Sequence, residues 1–581
     1  MSDFQNSKSA DGLTVKLWRG ERTALIGMDV DEPEDDLVGF AIEVIEPGTK
    51  SFAPLLNRLN FSYSQPASKA VDGFKNFPST QAPFQKFRWV HFPPAAKGGT
   101  YTYRVTKMHM PTDNKVVAGT AITLDIALDP VIYQNFLDVG FTRNFASSQA
   151  YADKYKNNPN IIPGGGADPL KFQKVAGDVY QWLGFEAYEL IFGILDEVVK
   201  DKTLSLDFFG YDVNEPDIVS RLQKMGGRLR AIIDDSGEHK PATSPESQVA
   251  NLLMGTTDGN VKRMHFSGLQ HNKVLIVKKN GKPLKVLFGS TNFSFRGIYI
   301  QANNALVLYA PEAAQFFANY FELAFNGQRG FTKDPMFSKW NLVPVQSKPP
   351  VHLCFSPHSD PNLSLNPVAA AIDQASSSVF FAIAFLSQMK SGPTYDAINR
   401  LMDKDVFSYG ISNRKGGLNV KKPDGSIGLV DFEYLAKTAP EPFKTEWSGM
   451  AKGTTATGSK KSAPGITEHN KFVVTDFSLP TAKVFSGSSN LSVSGEKKNG
   501  DNLVMIEDSR VATSYAIEAI RIFDHLHFRS LMQTSRNQTK SEQVKTLTLQ
   551  KPEAISGQPT WFAPFYKEGG QLAKDRILFA H

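Results

Sequence analysis

One cysteine, Cys354, stands in a chain of 581 residues, so no intrachain disulfide can form and thiolate metal sites of the zinc-finger kind are excluded. Neither charge sign dominates: 64 Lys and Arg against 58 Asp and Glu leave +6, a mild basic balance that suits an anionic substrate without demanding one. Long apolar runs are missing too. Nothing approaches the ~18 consecutive apolar residues of a membrane span, and the best candidate, 379–386, has the length of a buried strand. The polar start MSDFQNSKSADG lacks the basic-then-apolar pattern of a secretory leader. The expectation is a cytoplasmic protein, or one exported without a cleavable signal peptide. At 41% hydrophobic and 21% charged the chain reads as globular, and its length exceeds what one core holds, pointing to roughly three domains.

What the chain does contain is a repeat. His271-Asn272-Lys273 followed by Gly289-Ser290-Thr291-Asn292 returns as His469-Asn470-Lys471 followed by Gly487-Ser488-Ser489-Asn490, every matched position 198 residues on. A gapless match across a strand pair implies a duplicated structural unit. The alternation around His271 and Lys273 predicts that both lie on one face of a strand with apolar residues on the other. Gly289 and Ser290 are expected to let the next strand approach closely, so that Asn292 joins the same pocket.

The organisation around the repeat is mixed. Residues 1–130 alternate polar and apolar in short runs such as LTVKLWRG and TYTYRVTKM, the pattern of an antiparallel β-sandwich of fibronectin III or immunoglobulin-like type. The acidic run Asp31-Glu32-Pro33-Glu34-Asp35-Asp36 reads as a solvated inter-strand loop, since EF-hand spacing is absent. Helix and strand signals then alternate in two lobes, 131–335 and 350–535, leaving 536–581 as a C-terminal extension. The predicted fold class is α/β: two pseudo-symmetric lobes of mixed sheets flanked by helices, plus the N-terminal all-β sandwich. The stretch 326–350 is the expected linker. Two polar insertions, 236–263 and 451–467, read as lids or binding loops. The second resembles a phosphate-binding loop only superficially, because Ser459 and Lys460 stand in the wrong order. His525 and His527, at i and i+2 of a helical segment, share no face and read as structural.

His-x-Lys with a downstream Gly-Ser-x-Asn, present twice, resembles the phospholipase D superfamily, over roughly residues 180–530. The resemblance implies a phosphodiesterase with His271, Lys273, Asn292, His469, Lys471 and Asn490 in one site and no cofactor. The residue types fit that chemistry on their own terms. Two lysines and two amides can hold the non-bridging oxygens of a phosphodiester as charge builds, so no metal is needed there. One imidazole attacks phosphorus to form a phosphohistidine, and the other donates a proton to the leaving oxygen. The family places an Asp five residues after the Lys, which is Asp476 in the second copy but Lys278 in the first; this Asp is expected to prop the hairpin from outside the pocket. Eleven residues past each Asn the family places a Glu that pairs with the opposite imidazole, and here those positions hold Asn303 and Asp501. If the crossed pairing carries over, Asp501 serves His271, the nucleophile, and Asn303 serves His469, the general acid.

The bond type is fixed better than the substrate. Phe293, with Ser290 and Ser488, is the expected substrate contact, and the chain's 42 phenylalanines favour a phospholipid, with a peripheral membrane contact and transphosphatidylation as corollaries. The alternative is a nuclease acting on DNA or RNA, with Lys452, Lys460 and Lys461 tracking a phosphate backbone. A net +6 without a basic, aromatic-interleaved stripe weighs against it. Both half-sites lie in one chain, so a monomer is expected.

Overall fold

The computed structural model describes residues 4–61, 76–129, 133–143, 149–156, 158–161, 163, 168–327, 330–413, 429–431, 468–536 and 548–581. The insertion 451–467 with Lys452, Lys460 and Lys461 therefore lies outside the described residues. The molecule is mixed α/β with a β-rich N-terminal region.

Two four-stranded antiparallel sheets make the N-terminal sandwich. One runs Gln5–Ala10, Leu13–Arg19, Ala24–Val30, Arg88–His91; the other Lys115–Ala127, Thr100–Thr112, Leu37–Ile45, Ala53–Pro54. Alternation places Leu13, Val15 and Leu17 inward against Ile42, Val44, Tyr101, Tyr103 and Val105. The acidic loop is tied down by its neighbours, with Glu34 paired to Lys107 and Asp36 to His109.

Residues 536–581 were expected to be an extension, yet the described part, 548–581, completes other cores. Trp561 and Phe562 belong to the sandwich core. The helix Gln571–Ala580 ends where Trp18 Nε1 donates to Phe579 O at 2.9 Å. A Cβ at Gly27 would meet that same carbonyl oxygen at 2.0 Å, so only glycine admits the helix end. Asp575 accepts Arg88 Nε at 2.7 Å, and the same guanidinium reaches Asp524. The tail's helical pattern is short, and its aromatic residues find their partners only in three dimensions.

Each lobe carries one sheet, and the two sheets share an order. The first runs Leu137–Phe141, Asn304–Leu308, Lys282–Gly289, Val274–Lys279, Leu204–Gly210, Leu229–Asp234, Val261–Met264. The second runs Val351–Ser356, Asp501–Ile506, Lys483–Gly487, Lys471–Thr475, Ser378–Ile383, Phe407–Ser412, Leu429–Asp431, with Asn341–Leu342 added at its first edge. The last three strands of each seven are mutually parallel and the others antiparallel. The expected linker thus supplies an edge strand, and the polar insertion 236–263 is an ordered helix, Pro245–Met254, and the start of a strand rather than a loose lid. Helices Val179–Lys200 and Pro311–Asn326 bury apolar stripes on the first sheet, and Ser509–Arg536 contacts the second. His525 and His527 lie within this last helix. Among the described residues no helix is long and apolar enough to cross a membrane.

Candidate active site

The His-Asn-Lys triplets sit where the lobes meet, and the backbone explains why. His271 and Lys273 were expected inside a strand, but the strand begins at Val274, and in the other lobe at Lys471. The residues just ahead pair with the opposite lobe: His271 N donates to Gly500 O at 2.9 Å and His469 N to Ala302 O at 3.0 Å. Each triplet therefore leaves its own ladder to bond across the interface, which sets the two copies face to face about an approximate dyad.

Side-chain amides repeat that crossing. Asn502 Nδ2 donates to Asn272 Oδ1 at 2.8 Å, and Asn304 Nδ2 to Asn470 Oδ1 at 3.1 Å. Gln270 Oε1 accepts from Asn272 N at 3.0 Å, and Glu468 Oε1 from Asn470 N at 2.7 Å. All of these residues obey the same 198-residue offset, so the repeat itself carried the signal for them; attention to charged groups alone passes them over. Gly289 (φ +146°) and Gly487 (φ +139°) end the returning strands, and a Cβ at either would lie 2.5 or 2.4 Å from the carbonyl oxygen of Asn304 or Asn502. The turns that follow are capped alike, Ser294 Oγ accepting from Gly297 N and Ser492 Oγ from Gly495 N.

The two imidazoles have unlike partners. His271 Nδ1 lies 2.7 Å from Asp501 Oδ1, and His469 Nδ1 lies 2.9 Å from Asn303 Oδ1. Asn303 Nδ2 donates to Gly297 O at 2.8 Å, so its oxygen is the atom turned to His469. Both imidazoles must then donate from Nδ1, leaving Nε2 as the reactive nitrogen. Ser488 Oγ donates to Asp501 Oδ1 at 2.6 Å and Ser290 Oγ to Asn303 Oδ1 at 2.9 Å. The two serines thus hold the partners of the imidazoles, a positioning task in place of the substrate contact expected of them.

The expected contact at Phe293 is also corrected. Its side chain is fully buried against Phe208, with ring centroids 5.1 Å apart. It belongs to the core because the backbone there bridges Val213 and turns the ring inward. Walls of the site come instead from two aromatics the repeat did not flag. Tyr211 lies edge-on to His271 at 4.7 Å, and Phe385 to His469 at 6.1 Å. They follow equivalent strands, but their spacing differs from 198, so no repeat signal marks them.

Asp476 caps the opposite end of its hairpin: Oδ1 accepts from Ser377 N at 2.8 Å and its carboxylate from Ser376 N and Ser378 N. In the first lobe Lys278 instead forms an ion pair at 2.5 Å with Asp207, a carboxylate that also binds Arg230. An exchanged charge thus does a comparable bracing task.

Electrostatics favour an anion. Burial, with Lys273 adding to it, holds the His271 imidazole down at about 4 against the opposite pull of Asp501. Burial would raise Asp501, but His271 and Lys273 outweigh it and keep the carboxyl below its usual range. The resting pair is therefore a neutral imidazole donating to a carboxylate. Burial, then Lys471, Lys273 and His271, push His469 well below its ordinary value. Burial lowers Lys273 to about 7, and burial with Lys273 lowers Lys471 well below the usual lysine range. Lys471 Nζ rests 3.2 Å from His469 Nε2, and Lys273 Nζ donates to His271 O at 2.6 Å. Oδ1 of Asn292 and of Asn490 is buried without a partner. Two buried lysines thus converge where an anion would stabilise their charged form.

A pH profile follows from these directions. If His271 attacks, it must be neutral, which fails below about 4; an acid His469 must hold a proton that burial and the lysines oppose, and Lys273 loses its own as pH rises through about 7. We therefore expect kcat/KM to fall on the alkaline side, with a limb no higher than about pH 7. The limb in kcat should lie at higher pH, because the bound anion restabilises the ammonium groups and the imidazolium. Coincident limbs in the two profiles would contradict this.

Residues 205–324 match the family model described as cardiolipin synthase, PLD-like domain. A phospholipase D of Rickettsia typhi is 41% identical over 198 residues, which is 34% of this chain and 80% of that enzyme. A phospholipase D of Rickettsia prowazekii is 43% identical over 54 residues, 9% of this chain and 24% of that enzyme, so the chain spans about a quarter of this second relative. The solved phosphatidylserine synthase of Haemophilus influenzae Rd KW20 is 12% identical, with a TM-score of 0.40, covering 61% of this chain and 89% of that one.

Proposed function

We propose, for a chain that belongs to the phospholipase D superfamily and is a phosphodiester-cleaving enzyme, that it cleaves the headgroup phosphodiester of a phospholipid through a phosphohistidine. The observation that carries this reading is the crossed and unequal pairing of the imidazoles, carboxylate to His271 and amide to His469. A carboxylate at Nδ1 makes the opposite nitrogen more nucleophilic, whereas a neutral amide orients its imidazole and leaves the imidazolium more acidic.

Nε2 of His271 attacks phosphorus, and the bond from phosphorus to the headgroup oxygen breaks as the His469 imidazolium gives that oxygen its proton. Neutral His469 then takes a proton from water, whose oxygen displaces His271. Lys273, Lys471, Asn292 and Asn490 hold the non-bridging oxygens through both steps, where charge is greatest. Lys471 Nζ lies against His469 Nε2; a bound phosphate draws the ammonium to itself and frees that nitrogen. The phospholipid assignment is supported by the two curated relatives, each a phospholipase D.

Two outcomes are expected of wild-type enzyme. In a primary alcohol, phosphatidylcholine should yield the phosphatidyl alcohol with ping-pong kinetics, since alcohol competes with water for the covalent intermediate; strict hydrolysis with inversion at phosphorus would point to direct attack by water. Turnover should persist in EDTA, because lysines and amides take the place of a Lewis acid at phosphorus; complete loss that a divalent ion restores would contradict it. Parallel assays on single- and double-stranded DNA separate the phospholipid reading from the nuclease one: DNA cleavage without headgroup release would assign the same site to nucleic acid. A location in the cytoplasm or export without a cleavable signal peptide, a monomeric state and a membrane-surface contact remain parts of this proposal, the last resting on the bilayer residence of such a substrate.

A further inference from the structure

Outside the phosphodiester site, one group of side chains has an arrangement that neither the repeat nor the mechanism uses. Asp212 follows the strand Leu204–Gly210 by two residues, His239 follows Leu229–Asp234 by five, and Glu246 lies in the first turn of the helix Pro245–Met254. The parallel strands deliver them to one crevice beyond the carboxyl ends of the sheet, where α/β folds bind ligands. One ligand atom from each lies within 4.8 Å of the others.

His239 is oriented from outside this group. Its Nδ1 lies 2.9 Å from Oδ2 of Asp234, a fully buried carboxylate that is not among the three. The imidazole therefore turns Nε2 toward Glu246, in the carboxylate–histidine arrangement that fixes the tautomer of a metal ligand. Glu246 is 2% exposed, and its Oε1 accepts from Val213 N at 3.1 Å. Its Oε2 lies 3.9 Å from His239 Nε2, beyond hydrogen-bonding distance. A buried carboxylate and an imidazole nitrogen face each other across a gap too wide for a hydrogen bond, with Asp212 in reach of both, which leaves room for a group that all three can ligate. The nearby guanidinium does not fill the role: Arg263 directs its Nη atoms to Ser247 Oγ and to the carbonyls of Asp234 and His239.

We propose that Asp212, His239 and Glu246 bind one divalent first-row cation, with Zn2+ and Mn2+ matching the set of one imidazole and two carboxylates. The ion is separate from the phosphorus chemistry. Tyr211 stands between, its ring 4.7 Å from that of His239 and 4.7 Å from that of His271. Asp234, which orients His239, also accepts Gln270 N at 2.7 Å, one residue before the nucleophile. A bound ion thus braces the wall and the lead-in of His271 without touching substrate. The described part of the second lobe has no counterpart, since Ala384 and Phe385 follow the equivalent strand.

The test is equilibrium dialysis of chelator-stripped full-length protein against Zn2+ and, separately, Mn2+, with bound metal measured by mass spectrometry. Wild type should take up one ion per chain. His239→Asn and Glu246→Gln should each weaken uptake by about tenfold or more, and Asp234→Asn by about 10–100-fold, as loss of an outer-shell partner does. His109→Asn, in the sandwich, should bind as wild type. Should the buried variants fail to fold, Asp212→Asn, on a half-exposed loop, gives the same reading and should also weaken uptake. Uptake by wild type no greater than by Glu246→Gln or Asp212→Asn would overturn the proposal. Turnover of the stripped protein, measured in parallel, should persist at least in part, since the ion touches neither His271 nor substrate; uptake and turnover are read separately, so failure of either reading can be told from failure of the other.

Discussion

His271→Ala abolishes covalent adduct formation, whereas His469→Ala still forms it, most readily on a substrate whose leaving group needs no proton. Removing the nucleophile removes the intermediate altogether. Removing the general acid slows the first step by on the order of 10²–10⁴, because the leaving alkoxide must depart unprotonated. With an activated aryl phosphodiester that loss should shrink, while His271→Ala remains inactive. The check is single-turnover release of the leaving group for both variants and both substrates. Equal losses for His469→Ala on alkyl and aryl substrates would deny it the acid's role. Neither change should unfold the protein, because the triplets are held across the interface by backbone bonds, His271 N to Gly500 O and His469 N to Ala302 O.

The second large effect belongs to the crossed partners. Asp501→Asn keeps the shape and removes the charge, so His271 keeps its orientation but loses the carboxylate that sharpens its nucleophilicity. Adduct formation should fall by on the order of 10-fold to 10²-fold, the usual effect of losing such a partner. Asn303→Ala should impair adduct formation less, because His469 acts on the leaving group and Asn303 carries no charge. Asp501→Asn should raise KM as well, since the carboxylate touches His271 and Ser488 and its charge also supports the ammonium forms of Lys273 and Lys471. If Asn303→Ala proves the more damaging to the adduct, the roles of the two histidines are exchanged.

The sequence made the site legible because a gapless duplication preserves what strand geometry demands. The residues around the two motifs that meet across the interface, from Gln270 and Glu468 to Asn304 and Asn502, keep one offset, so the chemistry and its immediate scaffold are written twice. The pairing of Asp501 and Asn303 with the opposite imidazoles followed from a family position. Three features were less legible. The orientation of Phe293 depends on a backbone bridge to Val213, a contact about eighty residues away in sequence that local pattern cannot encode. Tyr211 and Phe385 occupy equivalent places, but the insertions between strands and motifs differ in length, which hides their relation. The C-terminal segment reads as weakly amphipathic because its aromatic residues serve two different cores, the sandwich through Trp561 and the lobes through Phe579. Local periodicity registers one buried face per element; it does not register an element shared between domains.

The most direct measurement is rapid quench of wild type and His469→Asn with radiolabelled phosphodiester, followed by peptide mapping of the acid-labile, base-stable adduct. The account predicts a single labelled peptide carrying His271, accumulating further in His469→Asn than in wild type. A label on His469 would reverse the assignment of roles, and the absence of any protein-bound phosphate on the path to product would contradict the covalent mechanism itself.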